Sequence, residues 1–322
     1  MEIKRLEDIK EPLKNTVLTI GNFDGVHLGH QKIIKEVVQS AKKQRGTSIV
    51  MTFDPHPARF FNPEKEFHLL TLCDEKARII EKLGVDMLLC VKFDKTFANL
   101  EPEAFIKDIL IERLRVKEII IGPDYRFGKA KKGDIELLKR EGKKNGFRVR
   151  VINPVKLKGE VISSTKIRSL IEKGDVKKAG LFLGRPYSIE GAVVKGTGRG
   201  ATILGFPTAN ILSGAELIPK KGVYAVKVSL EEPFHEKKKK ENLLDGVMNI
   251  GTNPTFGNRA LTLEVHIMDF HEDILNRFIK VYFIERLRDE KKFSTPEALK
   301  KAIEKDIEQA KKIFSKKHLT IT

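Results

Sequence analysis

Four β-prone residues, Val17, Leu18, Thr19 and Ile20, run directly into Gly21-Asn22-Phe23-Asp24-Gly25-Val26-His27-Leu28-Gly29-His30. A helical pattern follows, with Ile33, Ile34, Val37, Val38 and Ala41 at helical spacing. Lys42, Lys43 and Arg45 suit the negative end of its dipole, and Gly46 stops it. A strand that turns through glycine into a helix N-terminus is the start of a strand–helix–strand unit. It also makes an anion site, because free amides and the positive dipole end converge there. Two glycines let the backbone approach a ligand closely, and His27 and His30, three apart, face one side. The plainer alternative is a glycine turn carrying two surface histidines.

The alternation continues. Strand patterns at 17–20, 48–53, 87–93, 118–121 and 148–152 enclose helical patterns at 31–43, 74–83, 102–114 and 135–144. This predicts a parallel sheet covered by helices with right-handed crossovers, binding ligands beyond the carboxyl ends of its strands. Three distinctive groups fall at those ends: residues 21–30, Asp54-Pro55-His56-Pro57, and Gly122-Pro123-Asp124-Tyr125-Arg126-Phe127-Gly128. Each alone is also ordinary turn chemistry. Then Ile162-Ser163-Ser164-Thr165-Lys166-Ile167-Arg168 opens another helix. One hydroxyl there can cap the helix, and the set also supplies phosphate donors.

After Gly184-Arg185-Pro186 the pattern becomes strands separated by turns, at 189–194, 223–230, 247–250, 261–268 and 278–284. An antiparallel barrel closed by an amphipathic helix at 295–314 is expected. At 322 residues, two domains are the default, here 1–184 and 185–322. In the second, Gly196-Thr197-Gly198-Arg199-Gly200 precedes Leu204-Gly205-Phe206-Pro207-Thr208-Ala209-Asn210. Thr208 and Asn210 alternate on an extended segment, and their oxygens suit Mg²⁺ carried with ATP phosphates. Glu264 and His266 alternate with Leu263, Val265 and Ile267. A glutamate directed into a small barrel needs a function, and Glu264 is the candidate base for deprotonating a primary alcohol. An exposed strand carboxylate is the alternative.

Composition narrows the class. The net charge is +17, but the lysines are spread over many helices and interleaved with glutamate, which favours solvated faces over a nucleic-acid surface. The run Glu236-Lys237-Lys238-Lys239-Lys240-Glu241 reads as a solvated hairpin insertion. Cys73 and Cys90 have no metal-ligand spacing, and Cys90 reads as a buried small hydrophobe. With 40% hydrophobic residues, no membrane-length apolar run and no apolar leader, the chain reads as a cytoplasmic protein with neither nucleic-acid nor membrane partner.

The motif series resembles the bacterial bifunctional riboflavin kinase/FAD synthetase family over nearly the whole chain. It comprises 21–30, 52–57, 122–128, 162–168, 184–186, 198–210, 222–226, 249–256, 263–266 and the 286–293 region. The resemblance implies an α/β plus β protein: an N-terminal Rossmann-like nucleotidyltransferase sheet, then a C-terminal riboflavin-kinase barrel with a terminal helix. It implies phosphorylation of riboflavin to FMN by the second domain and AMP transfer from ATP to FMN by the first, giving FAD. On that likeness Gly21, Asn22, Phe23, Asp24, His27, His30, Asp124, Arg126, Ser163, Ser164, Thr165 and Arg168 bind the adenylylating nucleotide. His27 and His30 also stabilise charge during transfer. Gly196, Gly198 and Gly200 form a loop over the kinase nucleotide, Thr208 and Asn210 hold Mg-ATP, Glu264 activates the ribityl hydroxyl, and Arg288 approaches the flavin. Retention of only one activity and a basic nucleic-acid-binding protein on this scaffold are the competing readings.

Overall fold

The computed structural model describes residues 1–11, 13–64, 66–196, 205–230, 243–252 and 261–316. It divides into two compact units, Met1–Ser164 and Thr165–Thr322. That division falls before the break expected at Gly184.

The first unit carries six parallel strands: β1 (Glu2–Arg5), β2 (Thr16–Ile20), β3 (Ser48–Asp54), β4 (Met87–Lys92), β5 (Val116–Ile121) and β6 (Arg148–Val151). Its helices are α1 (Leu28–Lys43), α2 (Pro57–Phe61), α3 (Cys73–Lys82), α4 (Lys95–Ala98), α5 (Pro102–Ala104, continuing as a π-helix over Phe105–Arg113) and α6 (Ile135–Asn145). A short hairpin, β7 (Lys156–Leu157) with β8 (Glu160–Val161), follows. The sheet order is β1-β4-β3-β2-β5-β6. The chain therefore winds outward from β2 on one side and returns on the other, so β2 and β5 flank the topological switch point. In open parallel sheets the ligand crevice lies there, beyond the carboxyl ends. Buried residues of β2, β3 and β4, such as Leu18, Ile49, Met51 and Leu89, pack with Ile106, Leu110 and Leu138 on one face. Ile34, Val38, Val50, Ile80 and Leu88 pack on the other. Cys90, expected to be buried, is half-buried.

The second unit begins with α7 (residues 164–172; Ser164 itself closes the first unit) and α8 (Val176–Leu183). α8 packs on the barrel strands β14 (Phe278–Arg288) and β9 (Tyr187–Val194), which explains why it sorts with the barrel. Asp175 caps α8 and Gly184 ends it in the left-handed conformation. The closed antiparallel barrel is completed by β10 (Ala209–Ser213), β11 (Gly222–Leu230), β12 (Leu244–Thr252) and β13 (Leu261–Ile267), in the order β10-β13-β12-β11-β14-β9. Tyr187, Tyr224, Met248, Val265 and Phe283 are among the residues buried in this unit. The terminal helix α9 (Pro296–Ser315) covers part of the outer face, packing Ala310 and Ile307 against Val223, Ala225 and Val247.

Candidate active sites

The Gly21–His30 turn leaves β2 at the switch point. Gly21 N–H donates to Met51 O at 3.1 Å, carrying the β2–β3 pairing one residue further. Beyond it the chain doubles back, with Phe23, Gly25 and Val26 at φ of 48°, 82° and 39°. Positive φ is costly for a β-branched residue, so the surroundings must impose it. They do so through Asp24, which is fully buried. Its Oδ1 accepts from the amides of Leu70 (2.9 Å) and Thr71 (3.3 Å), while Gly25 N–H donates to Thr71 Oγ1 at 3.1 Å. The Asp24 carboxylate is thus a strut for the turn. Ser164 Oγ donates to Asp24 O at 2.8 Å, bringing that hydroxyl to the same turn.

His27 caps α1. Its Nδ1 accepts from His30 N–H at 3.3 Å, so the neutral ring carries its proton on Nε2. The two imidazoles stack with centroids 3.6 Å apart, and Phe23 meets His30 edge-on at 5.2 Å. Burial, then the neighbouring His27 and Lys76, hold His30 well below its ordinary value of 6.5. His30 Nδ1 is buried without a hydrogen-bond partner among the described residues. The amides and dipole of the helix N-terminus beside this imidazole pair favour an anionic ligand.

Lys76 beside this turn was not legible in the sequence as a buried charge. It stands on the buried face of α3 and donates to Asn22 O at 3.0 Å, which also accepts from Thr52 Oγ1 at 3.1 Å. Aromatic residues were also missed. Phe53, Phe60, Phe93 and Phe97 form edge-on and tilted contacts at the ends of β3 and β4, and Phe61 joins them while remaining 56% exposed. After β5, Asp124 is exposed, and Arg126 pairs with Asp134 at 3.1 Å, the residue that caps α6. Ser163 lies in the first unit, whereas Thr165 and Arg168 belong to the second, on α7.

In the barrel, Asn210 on β10 and Asn249 on β12 lie directly opposite Glu264 on β13. Opposed residues share a face with Cβ atoms about 5 Å apart, so the three form one polar row. That row does not point inward as expected. Val223 opposes Asn249 and packs under α9, which puts the row on the outer face, while the alternating Leu263, Val265 and Ile267 fill the core. Glu264 is half-buried there, with no hydrogen bond or ion pair among the described residues. Burial raises its carboxyl above the ordinary value. Gly196 explains how Asn210 fits: a Cβ at 196 would stand 1.9 Å from Asn210 Nδ2. His266 Nδ1 lies 2.8 Å from Pro207 O and holds the segment leading to Thr208. Thr208 and Gly196 border a cavity of about 410 Å³ walled by Val265, Ile267 and the 270–275 loop. Gly198 and Gly200, the lysine run and residues 253–256 lie outside the described residues.

Arg288, expected beside a flavin, is engaged elsewhere. Its Nε and Nη2 donate to Asp306 on α9 at 2.8–3.0 Å, and its Nη1 donates to Asp289 O at 3.1 Å. It clamps the terminal helix. Among the described residues no group of three or more His, Cys, Asp or Glu side chains is placed to hold a metal, and no helix is long and apolar enough to cross a membrane.

Two family descriptions match the chain: FAD synthetase over residues 9–166 and riboflavin kinase over residues 183–314. A bifunctional riboflavin kinase/FMN adenylyltransferase of Escherichia coli K12 is 39% identical over 303 residues, covering 94% of each chain. That of Bacillus subtilis 168 is 38% identical over 314 residues, covering 95% of each. A crystal structure from Streptococcus pneumoniae, described as a macrolide-efflux protein, superposes with a TM-score of 0.85 at 31% identity, over 97% of this chain and 99% of that one.

Proposed function

The chain belongs to the bifunctional riboflavin kinase/FMN adenylyltransferase family, phosphorylating riboflavin to FMN and adenylylating FMN to FAD, and from its geometry we propose which residues carry each step. The functional halves are assigned as 1–184 and 185–322, with the family matches on either side of residues 167–182.

The barrel is the kinase. Riboflavin offers a neutral primary alcohol, so attack on the γ-phosphate of ATP needs a proton acceptor beside it. Glu264 is that base, and burial makes its carboxylate the more willing acceptor. Asn210 and Asn249 flank it in register and orient the reacting groups. Thr208 and Asn210 provide neutral oxygen donors, which fits Mg²⁺ held mainly by water and nucleotide phosphates. When bound, the ion offsets phosphate charge. Gly196 keeps the space Asn210 needs.

The parallel sheet is the adenylyltransferase. The FMN phosphate is already largely ionised at neutral pH, with a second pKa of about 6, so it attacks the α-phosphorus of ATP without a strong base. The protein's task is to hold phosphates in line and to stabilise charge on the leaving pyrophosphate. His27, His30, the α1 amides and Ser164 do this at the Gly21–His30 turn. Ser163, Thr165 and Arg168 are assigned to the same phosphate motif, and Asp124 and Arg126 to the nucleotide/flavin cleft. The exposed ring of Phe61 is the stacking surface for the isoalloxazine.

The observation that carries the division is the contrast between a half-buried carboxylate flanked by asparagines on one unit and a stacked imidazole pair at a helix N-terminus on the other. Incubation with riboflavin, ATP and Mg²⁺, followed by chromatographic separation of flavins, should give FMN and then FAD. Formation of neither product would overturn the reading.

A further inference from the structure

Lys76 is the least accounted-for charge in the first unit. It is 5% exposed, although lysine is rarely buried this deeply without a partner. No carboxylate lies within ion-pair distance of it among the described residues. Its Nζ instead donates to two neutral oxygens, Asn22 O at 3.0 Å and Thr52 Oγ1 at 3.5 Å. An ammonium has three donors and a full charge, so one donor and all of the charge are left unanswered. The place matters as much as the deficit. Asn22 begins the turn at the switch point, Thr52 lies on the adjacent strand β3, and the ammonium is close enough to His30 to disfavour a second positive charge there. A buried cation aimed at the floor of an anion cradle has a ready counter-ion in the ligand itself.

We propose that Lys76 is a positioning residue of the adenylyl-transfer site, a fixed positive charge beneath the phosphate cradle whose counter-ion is the phosphoanion of the bound substrate. This rests on the assignment of FMN adenylylation to the first unit. Two jobs combine in it: the hydrogen bond to Asn22 O sets the turn, and the charge draws the phosphate. The phosphoanion is either the triphosphate of ATP or the phosphate of FMN, and the two are separable by kinetics.

Three variants divide the jobs. Lys76→Met removes both, Lys76→Gln keeps a donor for Asn22 O without the charge, and Lys76→Arg keeps the charge. FMN adenylylation is assayed in full-length protein with ATP and FMN varied separately, riboflavin phosphorylation in the same samples serves as the internal control, and the melting temperature is recorded without nucleotide. The expected result is that Lys76→Gln and Lys76→Met both raise a KM by roughly 10–100-fold, on the scale of a charged hydrogen bond. A rise confined to the KM of ATP identifies the triphosphate as counter-ion, and one confined to FMN identifies the flavin phosphate. Lys76→Arg recovers most of the loss, riboflavin phosphorylation is unchanged, and the melting temperature of Lys76→Gln does not fall. A Lys76→Gln protein with wild-type KM values would overturn the proposal, as would a loss shared by Lys76→Arg. If Lys76→Met does not fold, Lys76→Gln and Lys76→Arg decide between these outcomes. Absence of FMN adenylylation in the unmodified protein would instead overturn the assignment on which the proposal rests.

Discussion

On the proposed assignment, the two candidate sites meet opposite problems with opposite residues. On the parallel sheet, the turn after β2 gathers two neutral imidazoles, a helix N-terminus, a hydroxyl and a buried ammonium, with its one carboxylate, Asp24, tied to backbone amides. On the barrel, a row of two asparagines surrounds a carboxylate that burial has made more basic. The difference follows from the nucleophile. An ionised phosphate needs its repulsion from another phosphate managed, whereas a neutral alcohol must lose a proton. On the proposed assignment, the side-chain charge at each site matches the protonation state of its attacking group.

The largest effect is expected at Glu264. Glu264→Ala is expected to lower riboflavin phosphorylation by roughly 10²–10⁴-fold, the usual worth of a positioned base. The raised pKa also has a stability consequence. The protonated form is favoured by folding, so stability is full below pH 4.5 and is lost as pH rises through the higher folded value. Glu264→Gln should therefore melt no lower than the unmodified protein at pH 7, which calorimetry checks, while failing as a kinase.

His30→Ala tests the other side. FAD formation should fall by roughly 10²–10³-fold, the cost of a lost charge-stabilising donor, while FMN accumulates. Here the sign of the pH effect reverses. The folded value of His30 lies below 6.5, so its stabilising contribution is present above pH 6.5 and is lost as pH falls through the lower folded value. Melting curves between pH 7.5 and 5 should fall less steeply in His30→Asn than in the unmodified protein.

A smaller effect is expected at Gly196. The added methyl in Gly196→Ala meets Asn210, so riboflavin phosphorylation should fall roughly tenfold while FMN adenylylation is untouched. Smallest in activity is Arg288→Met. Loss of its contacts to Asp306 should destabilise the barrel by about 1–3 kcal/mol, seen in urea unfolding, with little change in the KM of riboflavin. A large rise in that KM without loss of stability would return Arg288 to the flavin.

Much of this was legible in the residues, for physical reasons that also explain what was not. Continuous apolar runs marked β2 to β5, and the glycine turn with its helix marked the first cradle. The edge strand β1, Glu2-Ile3-Lys4-Arg5, is mostly exposed and carries no apolar period, so it left no pattern to read. Sheet order is a long-range property, and the switch point beside β2 emerged only from the pairing. Lys76 sits in Cys73-Asp74-Glu75-Lys76-Ala77-Arg78, where every charge looks solvated; only packing shows that one of them is not. Alternation separated Glu264 from Leu263 and Val265, but the strand pairing and the packing of α9 were needed to show that Glu264 lies on the outer face. Arg288 and Asp306 are far apart in sequence, so their pairing was invisible.

On this assignment the two reactions use separate residues on separate units. Its most direct test gives FMN and ATP to folded Glu264→Ala protein and follows FAD by chromatography. FAD is expected at the unmodified rate from FMN and almost not at all from riboflavin. Loss of FAD formation from FMN as well would contradict it.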